Sequence, residues 1–205
     1  MKPRVKICGI TNLPDALACA RAGADALGFI FYEKSPRAID PSAAAGIISE
    51  LPPYVTPVGV FVNTPRERIA SIISQTGIRS LQLSGDETPE ECRDFPVSVV
   101  KVFRMKDPAE VDRAKAYQIS AAMLDGGGDG LYGGTGTMPD LSVAERLMEI
   151  HKLIFAGGLS PDNIGGVLKR LRPYGVDVNS GVESSPGTKD HNKVRLLFER
   201  LSHIE

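Results

Sequence analysis

Eight short apolar segments alternate with helix-periodic segments along this 205-residue chain, and that alternation predicts an α/β fold, a single-domain, compact (β/α)8 or TIM barrel. Two further observations agree. Several strand segments are continuously hydrophobic, as strands covered on both faces are. Candidate functional residues recur just after the strands, the end at which such barrels carry their chemistry. An open doubly wound sheet is the structural alternative. No linker, low-complexity tract or internal repeat divides the sequence, so residues 1–205 are read as one domain.

The strand segments are 5–10, 26–31, 57–62, 80–83, 97–103, 121–124, 153–156 and 175–178. Helical segments are expected over 13–22, 41–51, 65–75, 108–117, 142–151, 163–171 and 190–202, with 88–93 the weakest, a turn or two. Asn12, Asp40, Thr64 and Asp107 stand where helix caps belong, and Pro41, Pro65 and Pro108 suit a first helical position.

Composition excludes several classes. Formal net charge is −1 with both signs interspersed, so nucleic acid and anionic membrane surfaces are not expected partners. No apolar run approaches the roughly 20 residues that span a bilayer. Three cysteines, Cys8, Cys19 and Cys92, form no CxxC pair, which points to a reducing, cytoplasmic setting and to neither disulfides nor zinc. Three scattered histidines give no metal spacing. Cys19, mid-helix among alanines, is read as core, and Cys92 as incidental.

Each strand end offers a candidate. Strand 1 ends in Cys8, on the same face as Lys6 and placed inward by alternation. A nearby ammonium would lower the thiol pKa and favour the thiolate; the other reading is a small buried hydrophobe. Arg37, in the Pro-stiffened loop after strand 2, can grip a carboxylate with two parallel hydrogen bonds, or be a solvated surface residue. Gln82, in strand 4, is a polar substrate contact or a satisfied core amide. Arg104 adds positive potential after strand 5 or is solvated.

Strand 6 ends in Asp125, a candidate catalytic carboxylate, before a loop with seven glycines between Gly126 and Gly136 that has the character of a lid. Its GxGxxG match, 128–133, opens no helix and is discounted. The turns Gly157-Gly158-Leu159 after strand 7 and Ser180-Gly181 after strand 8 fall where barrels bind phosphate through backbone N–H groups. Asp177 faces inward beside strand 1, either to pair with Lys6 or to touch substrate.

These residues resemble one family, phosphoribosylanthranilate isomerase of tryptophan biosynthesis. The resemblance rests on Lys6-Ile7-Cys8-Gly9-Ile10-Thr11, on 23–31, on Ser35-Pro36-Arg37, on 58–63, on Leu124-Asp125, on Gly133-Gly134-Thr135-Gly136, on Ala156-Gly157-Gly158-Leu159 and on 175–183, completed by Pro186-Gly187-Thr188-Lys189-Asp190. It implies a cofactor-free Amadori rearrangement of N-(5'-phosphoribosyl)anthranilate, with no metal. It implies Asp125 as general acid on the furanose oxygen and Cys8 as general base at C2'. Arg37 would then hold the anthranilate carboxylate, and the turns 157–159 and 180–181 the phosphate. The implied partner is a small phosphorylated substrate; monomer and homodimer both remain open.

Three positions depart from the family's usual pattern: Ser84 where histidine is usual, Pro139-Asp140-Leu141 where Phe-Asp-Trp is common, and Asn179 where serine is commoner. They are expected to alter packing around the anthranilate ring. Two other readings stand beside this one: the related phosphoribosyl isomerase barrel of histidine biosynthesis, whose family carries an aspartate where Cys8 stands, and a non-catalytic phospho-ligand-binding barrel.

Overall fold

The computed structural model describes residues 2–126 and 138–203. The glycine-rich loop expected as a lid lies, beyond Gly126, outside the described residues.

Eight parallel strands close a barrel in chain order: β1 Arg4–Ile7, β2 Ala26–Ile30, β3 Thr56–Phe61, β4 Ser80–Leu83, β5 Ser98–Phe103, β6 Ala121–Leu124, β7 Leu153–Phe155 and β8 Gly175–Val178. β8 pairs back onto β1, with Lys6 opposite Asp177, so the sheet is not the open alternative. Helices α1 Leu13–Ala22, α2 Pro41–Ser49, α3 Arg66–Thr76, α4 Leu141–Met148, α5 Ile164–Arg170 and α6 His191–Ser202 complete the units.

Strand alternation sorts the side chains into two layers. Val5, Ile7, Leu27, Phe29, Phe155, Val176 and Val178 point outward and pack with helix residues such as Ala16, Ile47, Leu147, Val167 and Leu197. Val100, Val102, Ala121, Met123 and Ala156 fill the interior. Cys8, Ile30 and Val60 form a small cluster nearer the strand ends.

Asn12, Asp40 and Asp107 cap as expected, accepting from the N–H groups of Asp15, Ser42 and Ala109. Asp140 and Asp190 do the same for α4 and α6. Thr64 does not cap: its hydroxyl donates to the Val62 carbonyl, and Pro65 takes the cap position of α3 without a side-chain bond.

Segment 108–117 is a 3-10 helix over Pro108–Ala116 instead of an α-helix. Its apolar residues Pro108, Val111, Ala114 and Tyr117 recur every third position, the period that eclipses side chains in a 3-10 helix. No helix covers residues 84–97. Pro89 and Pro96 bracket a single turn closed by Cys92 N–H on the Thr88 carbonyl, and Cys92 is buried against Leu81, Leu83 and Val99. It is therefore packing, not incidental.

A buried charge network does part of the missing helix's work. Lys101, on the outer face of β5, donates to the Gly85 carbonyl at 2.7 Å and to Glu87 Oε2 at 2.8 Å. Glu87 also accepts from the N–H groups of Gly85 and Asn63. After β8 comes an unforeseen antiparallel hairpin, β9 Glu183–Ser185 and β10 Thr188–Lys189.

Truncating one partner of a buried ion pair strands the other charge, at about 3–5 kcal/mol. Lys101→Met should cost that much in urea unfolding. A loss below about 1 kcal/mol, the size of an exposed pair, would show that the network does not anchor 84–97.

Candidate active site

The C-terminal strand ends open onto a cavity of about 530 Å³. Cys8 and Asp177 reach it from the seam between β1 and β8, Asp125 from β6, and Gln82 and Ser84 from β4. Gly157, Gly158, Leu159 and Ser180 form one wall, and Arg37 lies on the lining from the β2 side. Nine of the ten residues given a catalytic, substrate or phosphate role from sequence thus share one space.

The tenth is placed differently. Gly181 does not line the cavity; it lies where a Cβ would collide with the Leu159 carbonyl, so its lack of a side chain lets the turns after β7 and β8 meet backbone to backbone. Gly157 and Gly158 both take positive φ, 90° and 63°, which glycine adopts without strain. Asn163 fixes this turn: its Nδ2 donates to the Gly158 carbonyl and its Oδ1 accepts from Ser160 N–H.

Lys6 Nζ donates to Asp177 Oδ1 at 2.8 Å, and both side chains are buried. Asp177 therefore pairs with Lys6, the first of its two readings, and it also lines the cavity. Gly28 on β2 makes room for this cluster: a Cβ there would stand 2.7 Å from Cys8 Sγ and 3.0 Å from Lys6 Cε. Its trace in the sequence is a glycine inside an apolar strand, a sign of close approach.

The expectation for the thiol is corrected. Burial pushes the Cys8 thiol above its ordinary value, and Asp177 adds to that, while Lys6 and Lys189 pull it down without winning. Pairing with Asp177 offsets much of the field that an isolated Lys6 would exert. The resting thiol is therefore protonated near neutrality.

Burial likewise pushes the Asp125 carboxyl up, with Asp177 adding to it, against Arg104, the Gly126 N–H and Lys6. Both groups thus lean toward their protonated forms.

Gln82 Nε2 donates to Ser84 Oγ at 3.1 Å, while its buried Oε1 accepts no hydrogen bond among the described residues. Arg104 is not simply solvated: its Nη2 donates to the Ser84 carbonyl at 2.8 Å.

Arg37 is buried, not a solvated surface residue, and Glu183 grips it along one edge: Nε donates at 2.9 Å to Oε1 and Nη2 at 2.7 Å to Oε2. Lys189 Nζ donates to Glu183 Oε1 at 2.8 Å and to Asn179 Oδ1 at 3.1 Å. Glu183 and Lys189 stood inside recognisable motifs, but no local pattern assigned them a partner at Arg37. Among the described residues no group of His, Cys, Asp or Glu is placed to hold a metal ion, and no helix is long and apolar enough to cross a membrane.

The sequence profile of the N-(5'phosphoribosyl)anthranilate (PRA) isomerase family matches residues 5–200. The N-(5'-phosphoribosyl)anthranilate isomerase of Geobacter metallireducens is 47% identical over 197 residues, covering 96% of this chain and 98% of that protein. The crystal structure of the phosphoribosyl anthranilate isomerase from Thermus thermophilus superposes with a TM-score of 0.91 at 39% identity, covering 98% of this chain and 100% of that one. A phosphoribosyl anthranilate isomerase crystallised in complex with reduced 1-(o-carboxyphenylamino)-1-deoxyribulose 5-phosphate gives 0.86 at 39% identity, covering 98% of each chain.

The opposed effects of Lys6 and Asp177 on the thiol can be measured. Asp177→Asn should speed iodoacetamide alkylation of Cys8 at pH 8 by about three- to tenfold, and Lys6→Met should slow it by a similar factor. Site-resolved mass spectrometry reads this, with Cys19 and Cys92, pushed up to about 12 and about 11, as slow internal references. Equal rates in all three proteins would refute this account of the thiol.

Proposed function

The chain belongs to the N-(5'-phosphoribosyl)anthranilate isomerase family, and from that membership we propose that it converts N-(5'-phosphoribosyl)anthranilate to 1-(2-carboxyphenylamino)-1-deoxyribulose 5-phosphate, a step of tryptophan biosynthesis. The observation that carries the reading is that one cavity brings together a thiol, a carboxyl held toward its acid form, a clamped guanidinium and a glycine-built turn.

The chemistry needs an acid and a base, not an external electron acceptor. The Asp125 carboxyl donates its proton to the furanose ring oxygen. The C1'–O bond breaks, and the anilino nitrogen's lone pair forms the iminium. That iminium acidifies the neighbouring C–H, and the Cys8 thiolate removes the C2' proton. The electron pair flows into the C1'–C2' bond and on to nitrogen, giving an enolamine. Proton transfer from the C2' hydroxyl to C1' then yields the ketone. Atoms and electrons balance within the substrate.

Binding follows from the same residues. The turns 157–159 and 180–181 hold the phosphate through backbone N–H groups. Arg37 receives the anthranilate carboxylate. There Glu183 faces two cations, Arg37 and Lys189, so the cluster carries a net positive charge that favours an anion. Gln82 Oε1, a buried acceptor without a donor among the described residues, suits a substrate hydroxyl or amine.

Because the Cys8 thiol is a weaker acid than the Asp125 carboxyl, the active form is a minority: thiolate with protonated carboxyl, against the commoner thiol with carboxylate. The profile of kcat/KM against pH is still a bell, but its limbs are exchanged. The rising limb reports Asp125, above the usual carboxylate range, and the falling limb reports Cys8, above the usual thiol range.

Freshly made phosphoribosylanthranilate should lose its anthranilate fluorescence on adding enzyme. Asp125→Asn and Cys8→Ala should each slow turnover by at least about 10²-fold, the lower end of general acid–base contributions. Cys8→Ser, with its far less acidic hydroxyl, should lose the falling limb within the accessible range. Near-normal turnover of Cys8→Ala would remove the thiol from the mechanism. No loss of fluorescence with the wild-type protein would remove the activity itself.

A further inference from the structure

An arginine that is to grip a flat carboxylate must hold a long, flexible side chain in one orientation, and its planar fork is useful only when that orientation is fixed beforehand. Arg37 is fixed from behind. Glu183 occupies the Nε–Nη2 edge with three contacts, Nε at 2.9 and 3.1 Å and Nη2 at 2.7 Å. No described residue accepts from Nη1, and Arg37 lines the cavity, so the end-on Nη1–Nη2 edge is the one left for a ligand. The aliphatic stem is set as well: Gly9 has φ +76°, and a Cβ there would stand 2.9 Å from Arg37 Cδ.

Glu183 is itself held. Lys189 Nζ donates to its Oε1 at 2.8 Å, the Gly187 N–H donates to the same oxygen at 3.3 Å, and Lys193 Nζ donates to its backbone carbonyl at 2.9 Å. All three anchors come from the β9–β10 hairpin and the first turn of α6, far in sequence from Arg37.

We propose that Glu183 is a positioning residue for substrate recognition: it presents the free edge of the Arg37 guanidinium to the ring carboxylate of the substrate, and the hairpin exists to hold it there. The proposal rests on the reading that Arg37 receives that carboxylate. It predicts that Glu183 discriminates between substrates without touching either.

The test compares phosphoribosylanthranilate with N-(5'-phosphoribosyl)aniline, which lacks the carboxylate, with turnover followed by chromatography of the products. Glu183→Gln should raise KM for the carboxylate substrate by about tenfold and leave that of the aniline analogue within about twofold. Arg37→Met should show the same selectivity, more strongly. Lys189→Met, which removes one anchor from Glu183 while leaving the Glu183–Arg37 contact, should show the same selectivity more weakly; equal weakening of both substrates would overturn the hairpin's holding role. Should Glu183→Gln fail to fold, Glu183→Asp, which keeps the charge beside Lys189 but withdraws it from the guanidinium, is expected to behave the same way. If Arg37→Met is selective but the Glu183 variants affect both substrates equally, or neither, the positioning role is overturned. If Arg37→Met itself is not selective, the carboxylate reading falls and the proposal with it.

Discussion

The Lys6–Asp177 pair, buried where the last barrel strand meets the first, is the interaction on which the site's geometry depends. Strand register places the two residues directly opposite each other, so neither charge can be buried without the other. That requirement fixes the inward face of both strands. With Lys6 inward, Cys8 two residues on is inward too, and with Asp177 inward, Asn179 follows onto the cavity lining. The absent Cβ of Gly28 completes the arrangement by clearing the space that the thiol and the ammonium share.

The same pair sets the electrostatic character of the mouth. An ammonium alone beside a buried thiol would draw it toward the thiolate. Matched by a carboxylate, it leaves desolvation dominant, and the thiol rises. Asp177 also reinforces the rise of the Asp125 carboxyl. One buried charge thus acts on the proposed acid and the proposed base in the same direction, which suits the acid and makes the base scarce but intrinsically stronger. The second cluster, Arg37–Glu183–Lys189, works differently, since its charges do not cancel and a net positive charge remains for an anion.

Polar networks also stand in for regular structure. Between β4 and β5 the barrel has turns where other units have a helix, and Lys101, Glu87 and the N–H groups of Gly85 and Asn63 hold that segment down. After β8, the hairpin is tied back over β1 by Thr11, which donates to the Gly187 carbonyl, and by Asp15, which accepts from Lys189 N–H. Of the three positions that depart from the family's usual pattern, two have a visible local role. Ser84 accepts from Gln82 and receives Arg104 at its carbonyl. Asn179 Oδ1 accepts from Lys189 Nζ at 3.1 Å.

The sequence alone determined what depends on neighbours along the chain: strand and helix order, most caps, the barrel class, and the inward face that carries Lys6, Cys8 and Asp177. These follow from periodicities of two and 3.6 residues and from short-range hydrogen bonds, both local properties. Its errors were local competitions as well, as at Thr64, or a period of three read as a helix at 108–117. Only the tertiary structure decided what depends on several strands at once. The direction of the thiol's shift required knowing that Asp177 faces Lys6 and that burial outweighs their field. The clamp on Arg37 required bringing together residues 146 positions apart, and the need for Gly181 required seeing the Leu159 carbonyl in the space its side chain would fill. Desolvation, charge pairing and steric exclusion act through space, so no window of sequence contains them.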